Sequence, residues 1–451
     1  RRNEASEDLH DSPLWDVSRY GTPMEEPMTD NHNRRTFLKV AGGTGALGLT
    51  GLAGCAGNSS NGDGGGDSGG SGDTITLGGS MSLTGDNADL GRLYKDAYQE
   101  TIDRINESGG VEAGDGNTYE LEMVLRDDGT DASTSRSIYQ ELIDREGIDY
   151  LLGPYSSSVT LPASAVAAEN EKPMVEGGGA SPEIFSQGNE WIFGLLPTAN
   201  KYAKSYIDMA LAQSPTPESI AILAEDGTFS QSTAEGARNK IEQTDLELVV
   251  DQTFPSGTSD LSTNLGRVRD QGADVLLLCA HQKHNIILAN QMESQGVNVD
   301  AAMGTVGSLN DSFKGEVGGN GDYIYGPTSW DINANFEDPV YGGTQDFVAA
   351  IENNYDYTPD YHSAAGEAVI MTFVNAFESV DELTPTTVRN TIRDSDPFST
   401  VYGDVSFDDS GVIAKNMLIR QWQPDPGLQT VYPSSVAQSD PIYPMPDWSE
   451  R

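Results

Sequence analysis

The sequence predicts an α/β protein of two Rossmann-like lobes, each a parallel sheet flanked by helices. Three observations carry this prediction. From residue 74 onward short apolar runs alternate with stretches of helical periodicity, the pattern of strand–helix–strand units. The alternation comes in two runs that are together too long for one sheet. Hydrophobic residues make up 36% and charged residues 21% of the 451, enough apolar material for a core and, at ~150 residues per domain, for two to three domains.

In chain order, 75–79 reads as a buried strand. A helix follows to about residue 105, with Leu90, Tyr94, Tyr98, Ile102 and Ile105 on one stripe and Gly109-Gly110 as its stop. Residues 119–125 read as a strand and 133–145 as a helix with Ile138/Leu142 and Tyr139/Ile143 as i,i+4 pairs. A strand at 150–153, a helix through Ala163, Val166 and Ala167, and a strand at 173–175 complete the first run. In the second, 220–223 and 275–278 are predicted strands, and 230–241, 259–271 and 285–295 predicted helices. Candidate crossings between lobes lie at 196–198, 326–330 and 397–403. The expected division is lobe 1 at 74–196 plus 329–396 and lobe 2 at 197–328 plus 397–440. In open α/β sheets ligands bind beyond the carboxyl ends of the strands, so two facing lobes predict a cleft that closes by hinge motion.

Seventy acidic residues against 26 basic ones give a formal net charge of -44. The acids are scattered along the chain rather than gathered in a tail. They repel one another unless salt screens them, and the Debye length falls to ~3 Å at 1 M. The composition therefore predicts a halophile. It argues against nucleic acid or anionic lipid headgroups as partners, since both call for basic patches.

The first 73 residues read as an address and a tether. Arg34 and Arg35 precede a glycine-rich apolar run of 40–53, resembling a twin-arginine export signal. At ~14 residues the run is shorter than the ~20 of a spanning helix. It ends in Leu52-Ala53-Gly54-Cys55, which resembles a lipobox and implies cleavage before Cys55 and a lipid on its thiol. The glycine pattern at 43–48 matches a dinucleotide-binding fingerprint in form only, because no strand precedes it. Residues 28–54 are thus the expected signal and 55–73 the lipidated cysteine with a Gly/Ser/Asp tether. Residues 1–27 hold no core and are either a start-site artefact or a regulatory extension.

Residues 152–185, LGPYSSSVTLPASAVAAENEKPMVEGGGASPEIF, resemble the branched-chain amino-acid type of solute-binding protein of ABC importers, the periplasmic-binding-protein type I fold. The likeness extends through Gly326-Pro327-Thr328-Ser329-Trp330, Asp338-Pro339 and Gly403-Asp404-Val405-Ser406-Phe407, and covers roughly 74–432. It implies three hinge crossings, a small-molecule ligand between the lobes, and docking of a monomeric, lipid-anchored protein onto permease subunits at the extracytoplasmic face of the membrane. Neither enzymatic activity nor a cofactor or metal is implied.

In such proteins lobe 1 holds the ligand carboxylate with hydroxyls and backbone N–H groups, which maps onto Tyr155, Ser156, Ser157, Gly179, Ala180 and Ser181. The residues agree, for Ser156 to Ser158 open a helix, where free N–H groups favour an anion; capping of that helix is the plainer role. In lobe 2, Phe229 matches the aromatic that covers the ligand. The family's amino-acid binders also place an acid after the strand at 275–279, to pair with the ammonium. This chain has Ala280-His281-Gln282-Lys283-His284 there. Either Asp226 replaces that acid, or the ligand is an aromatic or aliphatic carboxylate, or an amide, without an ammonium, held by His281 and His284. Trp330 either stacks on a ligand ring or packs the hinge.

Rival readings have less support. Cys279, His281 and His284 offer three zinc-type ligands, but Cys279 falls on an apolar strand, where a cysteine behaves as a small hydrophobe. No nucleophile elbow, zinc-protease helix or P-loop is present. A ligand-sensing surface lipoprotein of the same fold is the remaining alternative. Asn58 and Asn310 stand in glycosylation sequons.

Overall fold

Two sheets organise residues 73–451, the part of the chain that the computed structural model describes. Arg34, Arg35, Cys55, Asn58 and the tether lie outside the described residues.

The first sheet has the order β2-β3-β1-β4-β5-β6. Its strands are β1 (Asp73–Met81), β2 (Val111–Glu112), β3 (Thr118–Asp127), β4 (Tyr150–Leu152), β5 (Met174–Glu176) and β6 (Ile192–Gly194). The second runs β13-β12-β11-β10-β9-β7-β8, from β7 (Ser219–Glu225), β8 (Glu247–Phe254), β9 (Val275–Cys279), β10 (Ala301–Gly304), β11 (Tyr325–Thr328), β12 (Leu418–Trp422) and β13 (Leu428–Tyr432). Both sheets are parallel through their middles. The expectation of purely parallel sheets is corrected at the edges, where β2, β12 and β13 pair antiparallel. Central strands such as β9 are buried at every position, and burial on both faces is what turns a strand into a continuous apolar run.

In lobe 1, α1 (Ala88–Glu107) buries the predicted stripe and packs against α11 (Tyr361–Ser379). The opposite face carries α2 (Ala132–Glu146), α3 (Ser157–Glu169) and the short α4 (Pro182–Phe185). Asp131 caps α2 by accepting from Thr134 N at 2.7 Å, and Gly147 ends it in the left-handed conformation. Lobe 2 is covered on one face by α5 (Lys204–Leu211) and α6 (Thr228–Ile241). Its other face carries α7 (Ser262–Gln271), α8 (Gln282–Gln295) and α9 (Asp311–Val317). The helices α10 (Thr344–Tyr355) and α12 (Pro385–Asp394) return to lobe 1.

The chain leaves lobe 1 after β6 and re-enters it after β11. The third crossing differs from the expectation that lobe 2 resumes at 397. Gly194 N donates to Gly411 O at 2.8 Å, Ile413 N to Gly194 O at 3.1 Å, and Phe193 meets Phe407 edge-on. Residues 405–413 thus complete the edge of β6, and strand pairing puts the return to lobe 2 between Ile413 and Leu418.

No helix among the described residues is long and apolar enough to cross a membrane. Asn310 is buried, with Nδ2 donating to Gln282 Oε1 and Oδ1 accepting from Phe313 N, each at 2.8 Å. Its sequon is therefore closed to a glycan in the folded chain.

Candidate functional site

The carboxyl ends of β4 and β5 face those of β7 and β9 across a narrow, nearly closed space. It leaves room for about one water molecule, so a solute enters only when the lobes part. From lobe 1 come Tyr155, Ser156, Ser157, Gly178 and Ala180; from lobe 2, Phe229, His281 and Val306. Leu196 and Tyr202 enter from the first crossing, and Tyr361 and His362 from the start of α11.

The lobe 1 wall is built on backbone strain and one buried acid. Ser156 sits at φ 77, ψ 144, a region that costs a non-glycine residue ~1–3 kcal/mol and recurs at functional sites. No side-chain cap closes the first turn of α3, which leaves its N–H groups for an anion. Ser157 Oγ accepts from Ala180 N and from Ser181 N, both at 3.0 Å. Its hydroxyl proton is then the group it has left to offer, strengthened by the two bonds it accepts. The loop comes this close because residue 178 is glycine: a Cβ there would lie 2.7 Å from Pro154 O and 2.8 Å from Tyr155 Cα.

Beneath this loop lies Glu176, at the end of β5 and fully buried. Its Oε2 accepts from Gly178 N at 2.8 Å and from Gly179 N. Burial pushes the carboxyl up to about 8, more than those two bonds pull it down.

The lobe 2 wall pairs an acid with two imidazoles. Glu225 Oε2 lies 3.1 Å from His281 Nδ1 and accepts from His281 N at 3.2 Å; His284 Nδ1 is 3.6 Å away. Burial raises the Glu225 pKa, but the hydrogen bonds and charge of the two imidazoles win and hold it well below the usual carboxylate range. A second pair mirrors this one. His362 Nδ1 lies 2.9 and 3.0 Å from the two carboxylate oxygens of Asp360, which also caps α11. Both imidazoles stand edge-on to Tyr155, with ring centroids 6.5 Å (His281) and 5.8 Å (His362) away.

The lobes touch around this space. Ser181 Oγ meets Ser232 Oγ at 3.0 Å. Asp89 accepts from Gln282 Nε2 at 3.2 Å and from Ser312 Oγ at 3.0 Å. Lys283 Nζ pairs with Asp86 at 2.8 Å.

With two α/β lobes around a narrow cleft established, the sequence comparison decides the family: residues 74–427 match that of periplasmic binding proteins. The chain belongs to that family. Similar proteins include the Leu/Ile/Val-binding protein homolog 8 of Brucella abortus, 25% identical over 390 residues, spanning 80% of this chain and 91% of that one. The branched-chain amino acid transporter substrate-binding protein of Streptococcus pneumoniae, solved with isoleucine, superposes with a TM-score of 0.70 at 18% identity, covering 80% and 100% of the two chains. An ABC transporter solute-binding protein of R. palustris, solved with benzoate, gives 0.68 at 15% identity, covering 79% and 96%. At these identities the superpositions speak for the fold. The family and these neighbours are solute-binding proteins, not enzymes.

In this binding protein the structure brings together Tyr155, Ser156, Ser157, Ala180, Phe229 and His281 from the predicted set. The other predicted residues stand elsewhere. Gly179 turns its N–H to Glu176, and Ser181 spends its N–H on Ser157 and its hydroxyl on Ser232. Asp226 is exposed, because β7 ends at Glu225 and the chain turns outward there. His284 is buried behind Glu225, its Nε2 3.1 Å from Thr258 O and its ring against Phe254. Trp330 packs the hinge, with Nε1 donating to Val401 O at 2.7 Å and its ring edge-on to Phe347. Cys279 is buried and inert, its thiol pushed up by burial. Among the described residues no three metal-ligating side chains converge.

Sequence reasoning missed Glu176, Glu225, Tyr202, Tyr361 and His362. The Asp360-x-His362 spacing ahead of an apolar stretch was the one available signal for the last, since a helix-capping acid reaches back over the first turn.

Proposed function

We propose that this chain is the extracytoplasmic solute-binding component of an ABC importer and captures a small carboxylate-bearing solute between its lobes. One observation carries the reading. The lobe 1 wall gathers an open helix start, the Ser157 hydroxyl and the loop at 178–181 against Phe229 and His281 of lobe 2, with the space between the lobes drawn nearly shut. Such a wall suits a carboxylate, and the facing rings suit an apolar or aromatic body. The twin-arginine and lipobox motifs extend the proposal to export in the folded state and tethering through Cys55. A pair of permease subunits is then the partner of the closed form.

A leucine-like amino acid is the second reading. It is favoured by the two carboxylates, Glu225 and Asp360, that stand directly behind the cleft-lining imidazoles, and by relatives named for leucine, isoleucine and valine. The test is a thermal-shift screen of the full chain in molar KCl with amino acids, amides and aromatic or aliphatic carboxylates. A solute that binds only the folded state raises the melting temperature. A rise with one of these classes, lost in Ser157→Ala, is expected. Silence from all of them in folded protein overturns the reading.

A further inference from the structure

His281 and His362 come from opposite sides of the cleft, one after β9 of lobe 2 and one on the first turn of α11 in lobe 1. They share three properties. Each ring is fixed through Nδ1 by a carboxylate, Glu225 for His281 and Asp360 for His362. A carboxylate only accepts, so Nδ1 carries a proton in both rings. Each Nε2 is without a hydrogen-bond partner among the described residues, and each ring lines the solute space.

The groups packed around the two rings are aromatic or acidic. His362 stacks on Tyr361 with centroids 3.9 Å apart and meets Tyr94 and Tyr155 edge-on. His281 meets Tyr155 and Phe229 and shares Glu225 with His284. No lysine or arginine lines the cleft. In a chain of formal charge -44, a captured anion needs positive charge close at hand, and these two imidazoles are the cleft-lining groups able to carry it. Glu225 and Asp360 balance such a charge from behind. Neither carboxylate lines the cleft itself, so a solute ammonium would meet the imidazoles rather than an acid.

Resting on the importer reading above, we propose that His281 and His362 form a two-sided imidazole clamp. Its Nε2–H groups hold an acceptor on the solute, and the solute is a small carboxylate without an ammonium. The imidazolium form supplies the second N–H of each ring. Each ring then holds both its nitrogens as donors, Nδ1–H to the protein carboxylate and Nε2–H to the solute. Solute specificity in this chain thus sits in residue 362 as well as in lobe 2.

The experiment is calorimetric titration of the full chain in molar KCl with benzoate, benzamide and leucine as probes. The proteins are the unaltered chain, His281→Gln, His362→Gln, the double variant and Ser157→Ala, each checked for folding by its melting transition. The expected result is benzoate binding without benzamide or leucine binding of comparable strength, and about a 10- to 100-fold loss in each histidine variant, the range of a hydrogen bond to a charged group. Benzoate binding that is unchanged in the histidine variants overturns the clamp and leaves the importer reading standing. So does leucine binding that survives the double variant but is lost in Ser157→Ala. Failure of all three probes to bind folded protein overturns the clamp. The importer reading falls only when the wider screen is silent too.

Discussion

Ser157 Oγ sits 3.0 Å from the backbone nitrogen of Ala180 and equally far from that of Ser181, so one hydroxyl joins the start of α3 to the loop after β5. Ser157→Ala leaves two buried N–H groups without their acceptor. A loss of about 1–3 kcal/mol of stability is expected, read as a lower melting temperature, together with a weaker solute shift. An unchanged melting temperature would mean that the loop is held by Glu176 alone.

Ser156 is the strained partner of that arrangement. Glycine adopts φ 77 without penalty, so Ser156→Gly relieves ~1–3 kcal/mol of strain against ~0.4–1 kcal/mol of added unfolded-chain entropy. The variant is expected to melt at or above the unaltered chain while binding solute more weakly, because the hydroxyl goes with the side chain. A variant that melts well below the unaltered chain contradicts the strain argument.

Glu176 predicts the sign of a pH effect. Its carboxyl is raised from 4.5 in the unfolded chain to about 8 in the fold, so between those values the folded state holds a proton that the unfolded state releases. Stability from this group is full below about 4.5 and is lost as pH rises through about 8. The swing is of order 5 kcal/mol. Melting scans from pH 5 to pH 9 should fall in temperature, and Glu176→Gln, which keeps an acceptor for Gly178 and Gly179, should flatten that slope. The slope comes from this residue only if the variant removes it.

The rim contacts separate two kinds of bond. Asp86 and Lys283 are both substantially exposed, and such a pair is worth little once salt screens it. Asp89 gathers two neutral donors from lobe 2. Small-angle scattering without solute is therefore expected to show a larger radius for Asp89→Ala than for Lys283→Ala in molar salt. The reverse order would place closure under charge control.

The strand–helix alternation was legible because strands such as β9 are buried on both faces and read as unbroken apolar runs. The helix α11 was not, for the same reason turned around. Along nearly its whole length it is buried on all sides, so it carries no stripe for a helical period to reveal. Adjacent acids defeated the site reading at Glu225 and Asp226, where a one-residue error in the end of β7 decides which of them faces the imidazoles. Ser157 and Ala180 were placed through the family resemblance, which for Ser157 agrees with the chemistry of a serine run opening a helix. Glu176 had no signal, since its burial follows from Gly153, where a Cβ would fall 2.0 Å from the Glu176 Cβ.

The weave of the chain between its two sheets also bears on how the protein is made. The lobe 1 edge is finished only by residues 405–413, and the lobe 2 sheet only by β12 and β13 at 418–432. A ribosome has therefore passed residue 413 before either half can reach its final form, and neither half can be cut out as one continuous piece. On the export route proposed above, translocation of an unfinished thread would leave both halves to assemble outside the cell. A gate that admits only finished cargo suits a polypeptide knitted in this order.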